Sequence, residues 1–128
     1  MADEVERVLA ANQAFYDAFE ARDLDAMSDI WEHTDPVCTH PGWRTLRGWA
    51  SVSASWYTLF TNGQQLQFIV TNAHARVEGG VAWVSCDENL LGSDGGVGGT
   101  VAALNVFHRR DDQWRLAAHH GSPVATGA

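Results

Sequence analysis

The stretch Leu104–Pro123, LNVFHRRDDQWRLAAHHGSP, constrains this chain more than any other. Two runs rich in Val, Phe, Trp and Leu flank a polar break at Arg110-Asp111-Asp112-Gln113. Such residues suit a pleated, half-buried surface, and paired aspartates tolerate a tight turn, so the stretch predicts a hairpin. A sheet that ends in such a hairpin has an apolar face to cover. The N-terminal half, helical in pattern, is what can cover it. Helices first and a paired sheet last predict an α+β domain over residues 1–128, a length that buries a core without metal or disulfide support.

The helical half reads in three pieces. Asp3 and Glu6 have capping-box spacing. Val5, Val8, Leu9, Asn12, Phe15, Tyr16 and Phe19 then recur at three- and four-residue steps. Asp23 predicts the cap of a shorter helix carrying Leu24, Met27, Ile30 and Trp31. Asp35-Pro36 breaks it, and Val37–His40 reads as a short strand ended by Pro41-Gly42. A third helix is expected from about Gly48 to Phe60.

From Leu66 the pattern is β. Leu66–Thr71 leads into Ala73–Val77, Glu78-Gly79-Gly80 turns, and Val81–Leu91 is a long strand. GSDGGVGG reads as a hairpin tip, with Val101–Arg109 and Trp114–His120 completing the sheet. The glycine-rich tip is not a phosphate loop: it lacks a GK[ST] ending and precedes a strand rather than a helix.

Composition excludes several functions. A net charge of −8 with scattered basic residues argues against nucleic acid and anionic membrane surfaces. No apolar run approaches the length of a membrane span. The acidic, helical N-terminus does not read as a secretory signal, and Cys38 and Cys86 read as reduced small hydrophobes, which places the chain in the cytoplasm. Six tryptophans suit a lined cavity or an oligomer interface.

The order of elements, with DAFEARDLDAMSDIW, the His40-Pro41-Gly42-Trp43 strand end and the terminal hairpin, resembles the nuclear transport factor 2-like superfamily, and within it the SnoaL-like domains. NVFHRRDDQW followed by HHGSP is also similar to the association domain of calcium/calmodulin-dependent kinase II. The resemblance implies a cystatin-like roll: a curved, largely antiparallel sheet wrapped as a cone around the helices, with a pocket at its mouth. It also implies that His40 stands where steroid isomerases of this superfamily carry an Asp-Pro general base. Asn105 stands where a protonated Asp would donate to an oxyanion. The pocket tyrosines of those isomerases are matched by Phe15, Trp31 and Trp56, with Tyr16 one step off register. Phenols become hydrocarbon or indole, which speaks against steroid isomerisation and for a flat apolar ligand.

Strand alternation sets Ala103, Asn105 and Phe107 on one face and Leu104, Val106 and His108 on the other. The same parity expects Arg115, Ala117 and His119 toward the pocket, with Trp114, Leu116, Ala118 and His120 outward, where they would form a homodimer face. Asp87 is read with Ser85 and Asn89 as a polar run that could orient a His, with Glu88 opposite. His119 and His120 point to opposite faces and cannot share an ion, so no metal is expected, and no cofactor. Two functions stand open. One is a cofactor-free lyase, isomerase or cyclase acting on an apolar cyclic ketone, using His40, Asn105, Asp87 and His119, with Phe15, Trp31, Trp43, Trp56 and Phe107 holding the substrate. The other is a non-catalytic ligand-binding or oligomerisation module.

Overall fold

Three helices precede most of a six-stranded sheet in this computed structural model, which describes residues 3–62, 66–91 and 97–125. The helices are α1 (Glu4–Ala21), α2 (Leu24–Ile30) and α3 (Trp49–Thr61); the strands are β1 (Val37–Thr39), β2 (Leu46–Arg47), β3 (Gln67–Glu78), β4 (Val81–Leu91), β5 (Val97–Arg110) and β6 (Gln113–Pro123). Asp3 Oδ1 accepts from Glu6 N at 2.8 Å and Asp23 Oδ1 from Ala26 N at 3.0 Å, so both helices start where the sequence places their caps. Arg22 ends α1 in the left-handed region, its N–H returned to Ala18 and Phe19 carbonyls.

The strand order is β2-β1-β6-β5-β4-β3, antiparallel except for β1 beside β6. Asp111 and Asp112 both take positive φ between the paired Arg110 and Gln113, the primed turn whose twist matches the strands it joins. Register shifts interrupt β3 between Thr71 and His74 and the β5–β6 pair at Val106/Phe107. Each bulge bends its strand and lets the sheet curl over α1, which packs on β3, β4 and β6. Phe15, Tyr16, Met27, Trp31, Val52, Trp56, Val84, Phe107 and Leu116 fill the space between. Among the described residues no helix is long and apolar enough to cross a membrane.

Three expectations need correction. The expected glycine-rich tip falls partly on residues 92–96, which lie outside the described residues, while Val97–Thr100 already belong to β5. The two-residue strand β2, too short to leave a periodic signal, pairs with β1. Third, the parity of β6 changes within the strand. Val106 faces Ala118 while Phe107 faces Leu116, so Ala117 is the extra residue of a bulge. Trp114 and Leu116 therefore turn into the core and Arg115 turns away from it, while His119 inside and His120 outside stand as expected. Trp114 and Leu116 drop out of the outer face. That face keeps Leu104, which is exposed, together with the partly exposed Val106 and Ala118.

Candidate functional site

Parallel pairing of β1 with β6 sets Cys38 opposite His119, so His40, just beyond the end of β1, comes to lie near His119. The two rings lie 6.4 Å apart, centroid to centroid. Pro41 follows closely over Gly121: a Cβ there would meet Pro41 at 3.2 Å and Val101 at 3.1 Å, so glycine lets this corner settle onto the sheet. Antiparallel pairing sets Asn105 opposite His119, and their side chains bond across the strands. On β4, Ala82, Val84, Cys86 and Glu88 alternate into the core. Asp87 takes the other parity, so the expected Asp87–His pairing is corrected: a carboxylate on the outer face of β4 cannot reach the inward imidazoles. Its neighbour Glu88 is the inward carboxylate.

The polar side chains form one directed chain. Tyr16 Oη donates to Glu88 Oε2 at 2.6 Å. Having spent its proton there, Tyr16 accepts from Asn105 Nδ2 at 3.2 Å, and the same amide donates to Asn12 Oδ1 at 2.8 Å. Asn105 Oδ1 is thus turned toward His119, whose Nδ1 carries the hydrogen of a 2.5 Å bond. The neutral ring then has a bare Nε2. His40 is fixed in the same manner. Ser55 Oγ donates to the Val52 carbonyl at 2.6 Å, so it accepts from His40 Nε2 at 2.8 Å, and Nδ1 is the bare nitrogen.

Burial sets the charges. It pushes the Glu88 carboxyl up to about 7, against the hydrogen bond from Tyr16. It pushes His40 down to about 4. His119 falls to about 3, mainly through burial, with the neighbouring His40 and His120 adding to it. The Tyr16 phenol is raised by burial and by the Glu88 charge, so it stays a donor at any ordinary pH. Burial also raises Cys38, to about 12, and Cys86; neither thiol is a ready nucleophile.

His40, Glu88 and His119 line one hollow of about 220 Å³. Its walls are apolar: Phe19, Leu59, Phe68, Leu90 and Val101, with Pro41, Trp43 and Leu66 completing the lining. Trp43 is 40% and Leu66 36% exposed, which marks the mouth. Of the five expected substrate-holding aromatics, Trp43 lines this space. Phe15, Trp31 and Phe107 are fully buried and Trp56 is 1% exposed; they pack as core behind the imidazoles, with Trp56 edge-on to His40 at 4.7 Å and Phe15 5.0 Å from His119. Asn105 is also fully buried and is absent from the lining of the hollow; its two N–H groups are committed to Asn12 and Tyr16. A groove of about 340 Å³ beside α1 is larger, but none of its charged residues is buried. Among the described residues no three His, Cys, Asp or Glu side chains gather as a metal ion would need.

The sequence reading overlooked Glu88, Tyr16, Asn12 and Ser55 as members of the site. A signal for Glu88 was present. From Val84 on, the apolar Val84 and Cys86 alternate with the polar Ser85 and Asp87, and Glu88 shares the apolar parity.

Comparison with known proteins agrees with this architecture. Residues 8–126 match the family model of the SnoaL-like domain. A candidate dehydratase of the nuclear transport factor 2-like family from Streptomyces avermitilis is 38% identical, with a TM-score of 0.87 over 96% of this chain and 97% of that one. A candidate calcium/calmodulin-dependent protein kinase type II association domain from Thiobacillus denitrificans is 36% identical, with a TM-score of 0.84 over 91% and 94%. Among curated proteins, the F-box protein SKIP8 of Arabidopsis thaliana is 29% identical over 90% of this chain, which spans 48% of that relative's length.

Proposed function

The chain belongs to the SnoaL-like domain family, and from that premise we propose that it is a cofactor-independent lyase of the dehydratase type, with Glu88 as its acid/base group. The carrying observation is a buried carboxyl, poised near neutrality, sharing an apolar hollow with two neutral imidazoles. A base works best when its pKa lies near the operating pH. In the proposed reaction the Glu88 carboxylate takes a proton from the carbon next to a carbonyl. It returns that proton to a hydroxyl leaving the adjacent carbon: C–H and C–O break, C=C and a new O–H form, and water departs. His40 and His119 hold the substrate from their bare nitrogens. The 38% identity to a candidate dehydratase supports this class. A hollow of about 220 Å³ lies below the roughly 300–1,000 Å³ usual for drug-sized ligands, which favours a single ring over a fused steroid skeleton. Incubation with cyclic β-hydroxyketones, followed by mass spectrometry for loss of water, tests it. Conversion that Glu88→Gln leaves unchanged would sink the assignment.

Self-association is a second role, supported by the 36% identity to a kinase association domain. The outer sheet face carries exposed Ile69, Val81 and Leu104 and the half-buried Trp83 and Val106, an apolar strip suited to a second copy of the chain in a homodimer. Light scattering at micromolar concentration is expected to give a dimer mass, and Leu104→Asp a monomer mass with unchanged circular dichroism. A wild-type monomer removes the interface. The net charge of −8 supports neither nucleic acid nor an anionic membrane as a partner, and the two free thiols fit a reducing cytoplasm.

A further inference from the structure

The polar lining of the hollow has a direction. Glu88 can only accept when ionised, which obliges Tyr16 to donate to it, Asn105 to donate to Tyr16, and His119 to donate through Nδ1 to Asn105. Ser55 imposes the same order on His40 from the other side. With Glu88 ionised, every donor of the network is thus spent inside the protein. Among the described residues, Glu88 Oε1 and His119 Nε2 take part in no hydrogen bond, and His40 Nδ1 has only Cys38 Sγ at 3.9 Å. His40, Glu88 and His119 are each at least nine-tenths buried, yet all three line the hollow. The remaining side-chain N–H on its lining belongs to Trp43, at the exposed mouth.

Resting on the reading of this hollow as the substrate site, we infer that it selects hydrogen-bond donors: its occupant is a small ring that enters hydroxyl first, with any carbonyl held outward toward Trp43 and solvent. With Glu88 ionised, as above pH 7, a ketone oxygen pushed to the imidazole end would meet acceptors alone, and burying a polar atom without a partner is penalised. A hydroxyl there satisfies a bare nitrogen and remains within the hollow that Glu88 shares. An ammonium group would also donate. It would, however, give up its hydration to a pocket whose single carboxyl is half discharged near neutral pH, so the neutral donor is preferred. This departs from the apolar ketone expected from the sequence. A fully apolar ring leaves the acceptors at this end unsatisfied.

Three ligands of one shape separate the cases: cyclohexanol, cyclohexanone and cyclohexylammonium, titrated at pH 7.5 into the full chain. The readout is the long-range ¹⁵N spectrum of the imidazoles, in which an unprotonated nitrogen shifts when it accepts a hydrogen bond. Cyclohexanol is expected to move His119 Nε2 or His40 Nδ1 with a Kd at least tenfold below that of cyclohexanone, and to bind more tightly than the ammonium. Equal or tighter binding of the ketone, or tightest binding of the ammonium, overturns donor selection and leaves the hollow as a ligand site. Silence of both imidazoles toward all three overturns the site reading as well. Loss of the Glu88→Gln effect on turnover, with the alcohol preference intact, would instead overturn the catalytic reading alone.

Discussion

Glu88→Gln is expected to lower turnover of a β-hydroxyketone substrate by about 10²- to 10⁴-fold, the range a positioned acid/base group contributes. Gln keeps the shape and still accepts from Tyr16, so the fold and the hollow persist while the transferable proton is lost. The wild-type pH profile carries the same signature. Burial raises Glu88 to about 7, and the carboxylate is the form that starts the reaction, so kcat/KM should rise about tenfold per unit up to pH 7 and level off above it. Neither imidazole adds an inflection between pH 6 and 8, since burial holds them at about 4 and about 3. Asp87→Asn is the control: that carboxylate lies on the opposite face of β4, and its removal should change kcat by less than twofold. Activity that tracks Asp87, or a profile flat from pH 5 to 8, would show that the proton goes elsewhere.

Much of this arrangement is legible in the residues, because caps, breaks and alternation are local. Asp3 and Asp23 start their helices and Val81–Leu91 is bounded as read, since neighbours along the chain decide each. The inward set Ala103, Asn105 and Phe107 follows from period two alone. What alternation cannot carry is an interruption in itself. The bulge at Ala117 leaves no mark in composition, yet it exchanges the inward and outward residues on its N-terminal side. For the site, His40 and His119 line the hollow as expected, while the tryptophans do not all follow. A ring matched to a pocket tyrosine can instead fill the core, and the sidedness of Trp31 and Trp56 depends on how α2 and α3 pack. Tyr16, one step off the expected register, shows the converse: from α1 it supplies a phenol to the network through Glu88, a carboxylate on β4. Identity and spacing show which residues can bond. The pairing of strands distant in sequence shows which do.

The stability of the fold is expected to be level from about pH 8 to 6.5 and to fall by on the order of 3 kcal/mol toward pH 4, a consequence of the same three buried groups. His40 and His119 are held neutral, at about 4 and about 3, against 6.5 for the unperturbed group. Between pH 6.5 and 4 the unfolded chain therefore binds two protons that the folded chain refuses, and stability drops as pH falls. Glu88 acts in the opposite sense. Raised from 4.5 to about 7, it binds its proton in the folded state first, so it adds stability as pH falls from 7 to 4.5 and withdraws it as pH rises through 7. One opposing proton against two leaves a net acid loss. Urea midpoints from pH 4 to 8 measure the curve. In Glu88→Gln the opposing proton is gone, so the acid loss should steepen to about twice its wild-type size and begin already near pH 7. His119→Asn keeps a donor for Asn105 Oδ1 but cannot titrate; one imidazole proton then stands against the one on Glu88, and nearly all of the acid slope should vanish. A wild-type midpoint that stays level from pH 6.5 to 4 would mean that these imidazoles take up protons in the folded state. They would then serve as donors in the hollow, and both the acceptor polarity and the choice of a hydroxylated occupant would fall together.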